Sequence, residues 1–351
     1  MSTPPPPPQQ APQSAPATPP PHVPPPHPQQ GQLPGPPGQL PAQQPPLGPP
    51  PQAPGPGQPP LTPGQQPLGP GYSSPIPVVT THLGHAIASE WTKIRTVRST
   101  VWTLALTVLL TVGIGLAFAA ALSTEDYVGM PLLAGGFFGL MFGQLCVITL
   151  GVLVITSEYG TGMIRTTLTA CPQRSRVLIA KALVFFVLAF SVTLLATGLT
   201  ALIHSSMLSD QVVPSYDYDD PYMEGSIENG EVVASGGHWL GATVGASLYV
   251  ALLGLLALSV GTLLRHSAGA ITTMLGVVLV PLLVALFMVG DSLRDFRDKL
   301  IEYSPLNGLA SLFRIPMIGE TATGWPMLGL LAGVTAAAMI AALARLTTSD
   351  V

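Results

Sequence analysis

The residues able to do chemistry are few and scattered. His204 and His238 bracket one polar stretch and could ligate a metal ion, although polar residues at loop ends read equally well as plain structure. Asp217, Tyr218, Asp219 and Asp220 gather three carboxylates in four positions, without the alternating spacing of a calcium loop, so a solvated acidic loop is the preferred reading. Cys146 and Cys171 are too few for a disulfide scaffold or a multi-cysteine zinc site. None of Lys93, Lys181 and Lys299 closes a GxxxxGK phosphate cradle, and no HExxH or GxSxG occurs. The chain is therefore read as a non-enzyme with no catalytic, cofactor-binding or metal set of its own. Thr103, Thr107 and Thr111 line one face of the first apolar run, and Gln144 is the strongest polar group near the middle of the second. They could line a translocation path; hydrogen bonding between helices is the preferred alternative.

Composition explains why chemistry is so sparse. Of 351 residues only 9% are charged, against about 25% in an ordinary globular domain. The net charge is −4 with no dense basic stripe, which argues against nucleic acid as a partner. Charged residues punctuate six apolar runs, at 100–122, 130–155, 180–203, 239–263, 268–290 and 325–345. Each holds the ~20 apolar residues a membrane helix needs, and each is apolar all round rather than amphipathic. The expected fold is an all-α integral membrane protein with six transmembrane helices over 100–346. Close packing of those helices is expected at Gly135, Gly139 and Gly143, at Gly241 with Gly245, and at Gly329 with Gly333. No span has an ionisable acid or base in its interior.

Residues 1–80 hold most of the 40 prolines, and no Asp, Glu, Lys or Arg occurs before Glu90. This Pro/Gln/Gly-rich tail is expected to be disordered, because it cannot bury enough apolar surface to offset its entropy. Residues 81–99 carry Leu83, Ile87, Trp91 and Ile94 at helical spacing beside Lys93, Arg95 and Arg98. That pattern fits a cytosolic interfacial helix or a simple extension of the first span. If both termini are cytosolic, nine Lys or Arg lie inside and four outside, which sets the orientation. The loop 204–238 would then be outside, with seven acids and no Lys or Arg. Leu293, Phe296, Leu300 and Tyr303 predict an amphipathic helix on the outer face, with a re-entrant fifth segment as the lesser alternative.

Between the second and third spans lies Ser157 to Arg176. A glycine pair gives a turn, Met163 to Thr169 can form two turns of helix, and Pro172 ends it. Alone, this could be a lever for a soluble partner or a plain loop. The stretches SEWTKIRTVRSTVW from Ser89 and TSEYGTGMIRTTLTACPQRSRVLIAKAL from Thr156 resemble permease subunits of the type-2 ABC exporter superfamily, actinobacterial ones especially. The shared features are Glu158 closing the second span, Gly160 with Thr161, the Thr-rich run Arg165 to Thr169, Pro172, and Lys181 opening the third span. The resemblance covers about Ala86 to Leu346.

It implies a membrane permease that exports an unidentified substrate across a bacterial plasma membrane. Two six-span subunits, alike or different, would pair above two separate ATPase subunits that hold ATP and Mg. Gly162 to Ala170 would be the coupling helix, with Glu158, Gly160, Thr161, Ile164, Arg165 and Leu168 coupling to the ATPase. Glu158 is expected to fix the base of that loop through local hydrogen bonds. Residues 291–324 would form the outer gate. The long acidic loop 204–238 departs from the family pattern. The competing class is a six-span scaffold or immunity-type interaction protein that transports nothing.

Overall fold

The computed structural model describes residues 82–171, 173–219, 223, 225–315, 317–318 and 324–348. The tail expected at 1–80, and Pro172, lie outside the described residues. Six helices are long and apolar enough to cross a membrane: α2 (Arg98–Leu122), α3 (Gly136–Gly160), α5 (Arg174–Leu208), Gly236–Leu264, α8 (Ser267–Phe287) and α11 (Trp325–Thr348). The fold is that of an all-α, six-span membrane protein. The fourth span consists of α6 (Gly236–Leu240), a π-turn over Gly241–Gly245, and α7 (Ala246–Leu264). Before the first span stands α1 (Leu83–Thr96). Between the second and third stands α4 (Met163–Ala170). Between the fifth and sixth stand α9 (Arg294–Glu302) and α10 (Pro305–Leu312).

Small residues decide which helices are central. α7 packs against α3, α5, α8 and α11. Its Ala246, Ala251, Gly254 and Ala257 are buried, and a Cβ on Gly151 of α3 would strike the Gly254 carbonyl. In lipid there is no hydrophobic force between helices, so contact of this kind carries the packing. Gly139 and Gly143 do the same for α2, meeting the backbone of Thr111 and the Thr107–Thr111 face. A Cβ on Gly241 would likewise strike the Leu312 carbonyl of α10. Gly329 and Gly333 have no neighbour at their Cβ positions, so this third pair does not join helices within the chain.

Several expected boundaries shift, each for a physical reason. α1 is a separate helix, because Val97 adopts extended backbone (φ −81°, ψ 108°) and breaks the run into α2. α3 begins after Pro131, at Gly136, and continues past residue 155 through Glu158 to Gly160. Acids and bases do occur within the long helices, near their ends: Glu158 and Lys181 are buried there. His204 is buried as well, with its Nε2 3.0 Å from the Gly115 carbonyl oxygen of α2.

The opposite end is more ordered than a solvated loop. Ile227–Glu228 (β1) and Glu231–Val232 (β2) pair antiparallel through Asn229 and Gly230, both at positive φ, the turn that matches strand twist. Val213, Met223 and Val232 are buried and join the hydrophobic cluster of the bundle. α9 has no buried residue, as expected of a surface amphipathic helix. α10 is buried nearly throughout, wedged against α3, α7, α8 and α11. Its Asn307 holds the following loop by accepting from Met317 N (2.8 Å) and donating to Glu302 O (3.1 Å).

Candidate functional site: an ion-paired joint beneath the bundle

At the end that carries α1 and α4, four charged side chains from three helices form a closed ring. On α1, Glu90 and Lys93 are three residues apart and so share a face. Lys93 Nζ donates to Glu90 Oε1 (2.7 Å) and to Glu158 Oε1 of α3 (2.8 Å). Lys181 Nζ of α5 donates to Glu90 Oε2 (2.6 Å) and to Glu158 Oε1 (2.9 Å). The side chains of Lys181, Glu158 and Glu90 are 2%, 3% and 4% exposed, whereas Lys93 reaches 28%. Two carboxylates face two ammonium groups, so the ring is neutral. Neutrality is what lets it be buried, since an unpaired buried charge costs several kcal/mol.

Burial alone would lower the Lys93 pKa. Its hydrogen bonds to Glu158 and Glu90, with their negative charge, more than offset that and hold the ammonium above its ordinary value. A raised lysine pKa stabilises the folded state below the unfolded value, and that contribution is lost as pH rises through the folded one. Wild-type protein should therefore keep the Lys93 contribution up to the ordinary lysine range, about pH 10.4, and lose it only above. Melting temperatures of wild type and Lys93→Met should differ up to that pH and draw together only as the pH rises beyond it. Equal melting at neutral pH would contradict the role given to Lys93.

The ring explains where Glu158 was misjudged. Its bonds are not local: the partners lie 65 and 23 positions away. Glu90 was missed altogether. Its signal was present, as the first acid in the chain, on the same helical face as Ile94, which is also buried. In a chain so poor in charge, an acid set among interfacial basic residues calls for a partner.

α4 hangs from this joint. Gly160 and Thr161 are exposed at the turn, and Gly162 has φ +72° with nothing near its Cβ position. A left-handed backbone costs an L-residue about 1–2 kcal/mol. Gly162→Ala should thus loosen α4 by about that much, through backbone strain rather than a clash. Faster tryptic cleavage after Arg165, at an unchanged global melting temperature, would report it; unchanged cleavage would count against the strain.

Ile164 of α4 is 3% exposed and Leu168 packs against the core. Met163, Arg165, Thr166 and Thr169 are exposed. The residues named for coupling therefore divide: Ile164 and Leu168 fasten α4 to the bundle, and Arg165 faces out. A groove of about 410 Å³ separates α4 from α1, lined by Ala86, Ser89, Lys93, Met163, Thr166 and Ala170 among others. Two further ties stiffen this end. The Arg265 guanidinium lies 5.4 Å over the Tyr159 ring, and Arg174 Nη1 donates to Leu346 O at 3.1 Å.

The remaining candidates lie elsewhere. Thr107 and Gln144 are fully buried, and each bonds back to its own helix, Thr107 to Thr103 O (2.9 Å) and Gln144 to Met141 O (3.2 Å). His238 is buried next to Ser226, 3.5 Å away. Among the described residues, no three His, Cys, Asp or Glu side chains converge as a metal site. Cys146 and Cys171 are both free. No family model matches this chain, and no curated protein is significantly similar to it.

Proposed function

We propose that the chain is the membrane-spanning subunit of an ATP-binding-cassette exporter, with the α1/α4 end in the cytosol of a bacterium. The observation that supports this best is the neutral ring joining α1, α3 and α5 directly above an outward-facing α4. A short helix held by a stiff joint is a lever. Movement imposed on α4 would pass to the ends of the second and third spans, and through α1 to the first. ATP and Mg would sit on a separate ATPase subunit, and this chain would contribute no catalytic group. A second six-span subunit would complete the path, because Thr107 and Gln144 are enclosed within one chain's helix packing. Coupling of this kind needs contacts that differ between two states of the bundle. The basic residues support the orientation, nine on the α4 side against four on the other.

The test is reconstitution with an ABC ATPase subunit, taken from a neighbouring reading frame where one encodes it. ATP-dependent movement of at least one compound from a broad panel, absent without the ATPase, is the expected result. A stable six-span protein that binds no ATPase and moves nothing would leave the scaffold reading.

A further inference from the structure

A second cleft, of about 470 Å³, opens on the other side of the ring, between the α1–α2 elbow and α3. Its size is within the ~300–1,000 Å³ typical of ligand sites. Ile94 and Val97 on one wall face Leu150, Leu153 and Val154 on the other. From Glu158 to Leu150 the α3 wall runs eight residues, about 12 Å along the helix axis. The cleft therefore starts at the level of the ring and extends into the apolar zone. Trp91 and Trp102, 45% and 75% exposed, flank the elbow, as tryptophans do at headgroup depth. The lip is formed by Thr96, Val97 and Ser99, and Arg95 and Arg98 adjoin it in the chain, both exposed. The ring beneath sums to zero charge. Neither arginine lines the cleft itself, but each is next to lip residues in the chain and neither has an ion pair among the described residues, so two uncompensated positive charges stand beside the lip.

The geometry points to a site for one anionic phospholipid, its acyl chain against Ile94, Leu150 and Val154 and its phosphate-bearing headgroup at Arg95 and Arg98. An apolar slot running into the membrane below a cationic lip complements an amphiphile with a negative head. A zwitterionic lipid offers the same chains without the net charge. The assignment needs α2 and α3 to be membrane spans. It does not depend on the ATPase partnership or on which face is cytosolic, so its failure and the failure of the exporter reading are separable.

The test is native mass spectrometry of the full chain in detergent, titrated with dioleoylphosphatidylglycerol or dioleoylphosphatidylcholine. One phosphatidylglycerol per chain should be retained in preference to phosphatidylcholine. Basic residues near an anionic lipid are each worth about a five-fold change in affinity. Arg95→Gln and Arg98→Gln should each weaken retention by about that factor, and the double variant by roughly 30-fold. Val154→Trp, which fills the slot and leaves the ring intact, should abolish retention at an unchanged melting temperature. If Val154→Trp fails to fold, the arginine variants still decide, because both side chains are exposed. Free glycerol 3-phosphate should not compete. Equal retention of the two lipids, indifference to both arginines, or competition by glycerol 3-phosphate would overturn the site. So would protection of the arginines by a protein partner with no lipid retained.

Discussion

Lys181→Met is expected to destabilise the protein by about 3–5 kcal/mol, the usual cost of removing one partner from a buried ion pair. Lys181 Nζ bridges Glu90 and Glu158 while only 2% exposed. Without it, two largely buried carboxylates share Lys93 alone. α1 should then leave the bundle, since its only other buried residue besides Glu90 is Ile94. The expected readouts are a lowered melting temperature in detergent and new proteolytic cleavage between α1 and α2. A compensating variant separates charge from packing. Glu90→Gln with Lys181→Met removes one charge of each sign and leaves the Lys93–Glu158 pair. Replacing a buried pair by neutral groups is often close to neutral, so the double variant should recover most of the loss. If Lys181→Met melts like wild type, the ring is not the joint.

If the chain is the exporter subunit proposed above, Arg165→Ala is expected to weaken its coupling to the ATPase without unfolding it. The side chain is exposed, and among the described residues it takes part in no ion pair. Hydrogen bonds to charged groups contribute about 1.5–3 kcal/mol each. One such bond to the ATPase corresponds to roughly a ten- to hundred-fold change in affinity. Titration of the reconstituted ATPase should show a weaker half-maximum for Arg165→Ala at an unchanged melting temperature. Ile164→Ala should do the reverse: as a buried aliphatic truncation it costs about 2–5 kcal/mol of stability. Equal ATPase affinity for wild type and Arg165→Ala would remove Arg165 from the interface.

The membrane helices were legible because a span leaves a long uncharged run, and charge is rare enough here to mark each end. Their packing was legible at Gly139, Gly143 and Gly241, where an absent Cβ is the contact. At Gly329 and Gly333 the same spacing meets no neighbour among the described residues; paired and unpaired glycine faces look identical in sequence. The hairpin at Ile227–Val232 was missed although Asn229-Gly230 is a strong turn signal; the glutamates on either side of it, in an acidic loop, hid it. The ring was missed for a different reason. It joins residues 65 and 91 positions apart, and no local spacing encodes that pairing. Glu158 looked like the end of a span because charge normally ends one. Two ammonium groups from other helices let α3 carry it further.

The most direct test of the exporter reading is site-specific photocrosslinking in intact membranes. A benzophenone side chain is placed at Thr166 on the outer face of α4, or at Asp219 at the opposite end as control. Both positions are exposed. The account predicts an adduct from position 166 with a chain that carries a GxxxxGK[ST] phosphate cradle, and none from position 219. Adducts from 166 with lipid alone, or with a chain lacking that cradle, would contradict it.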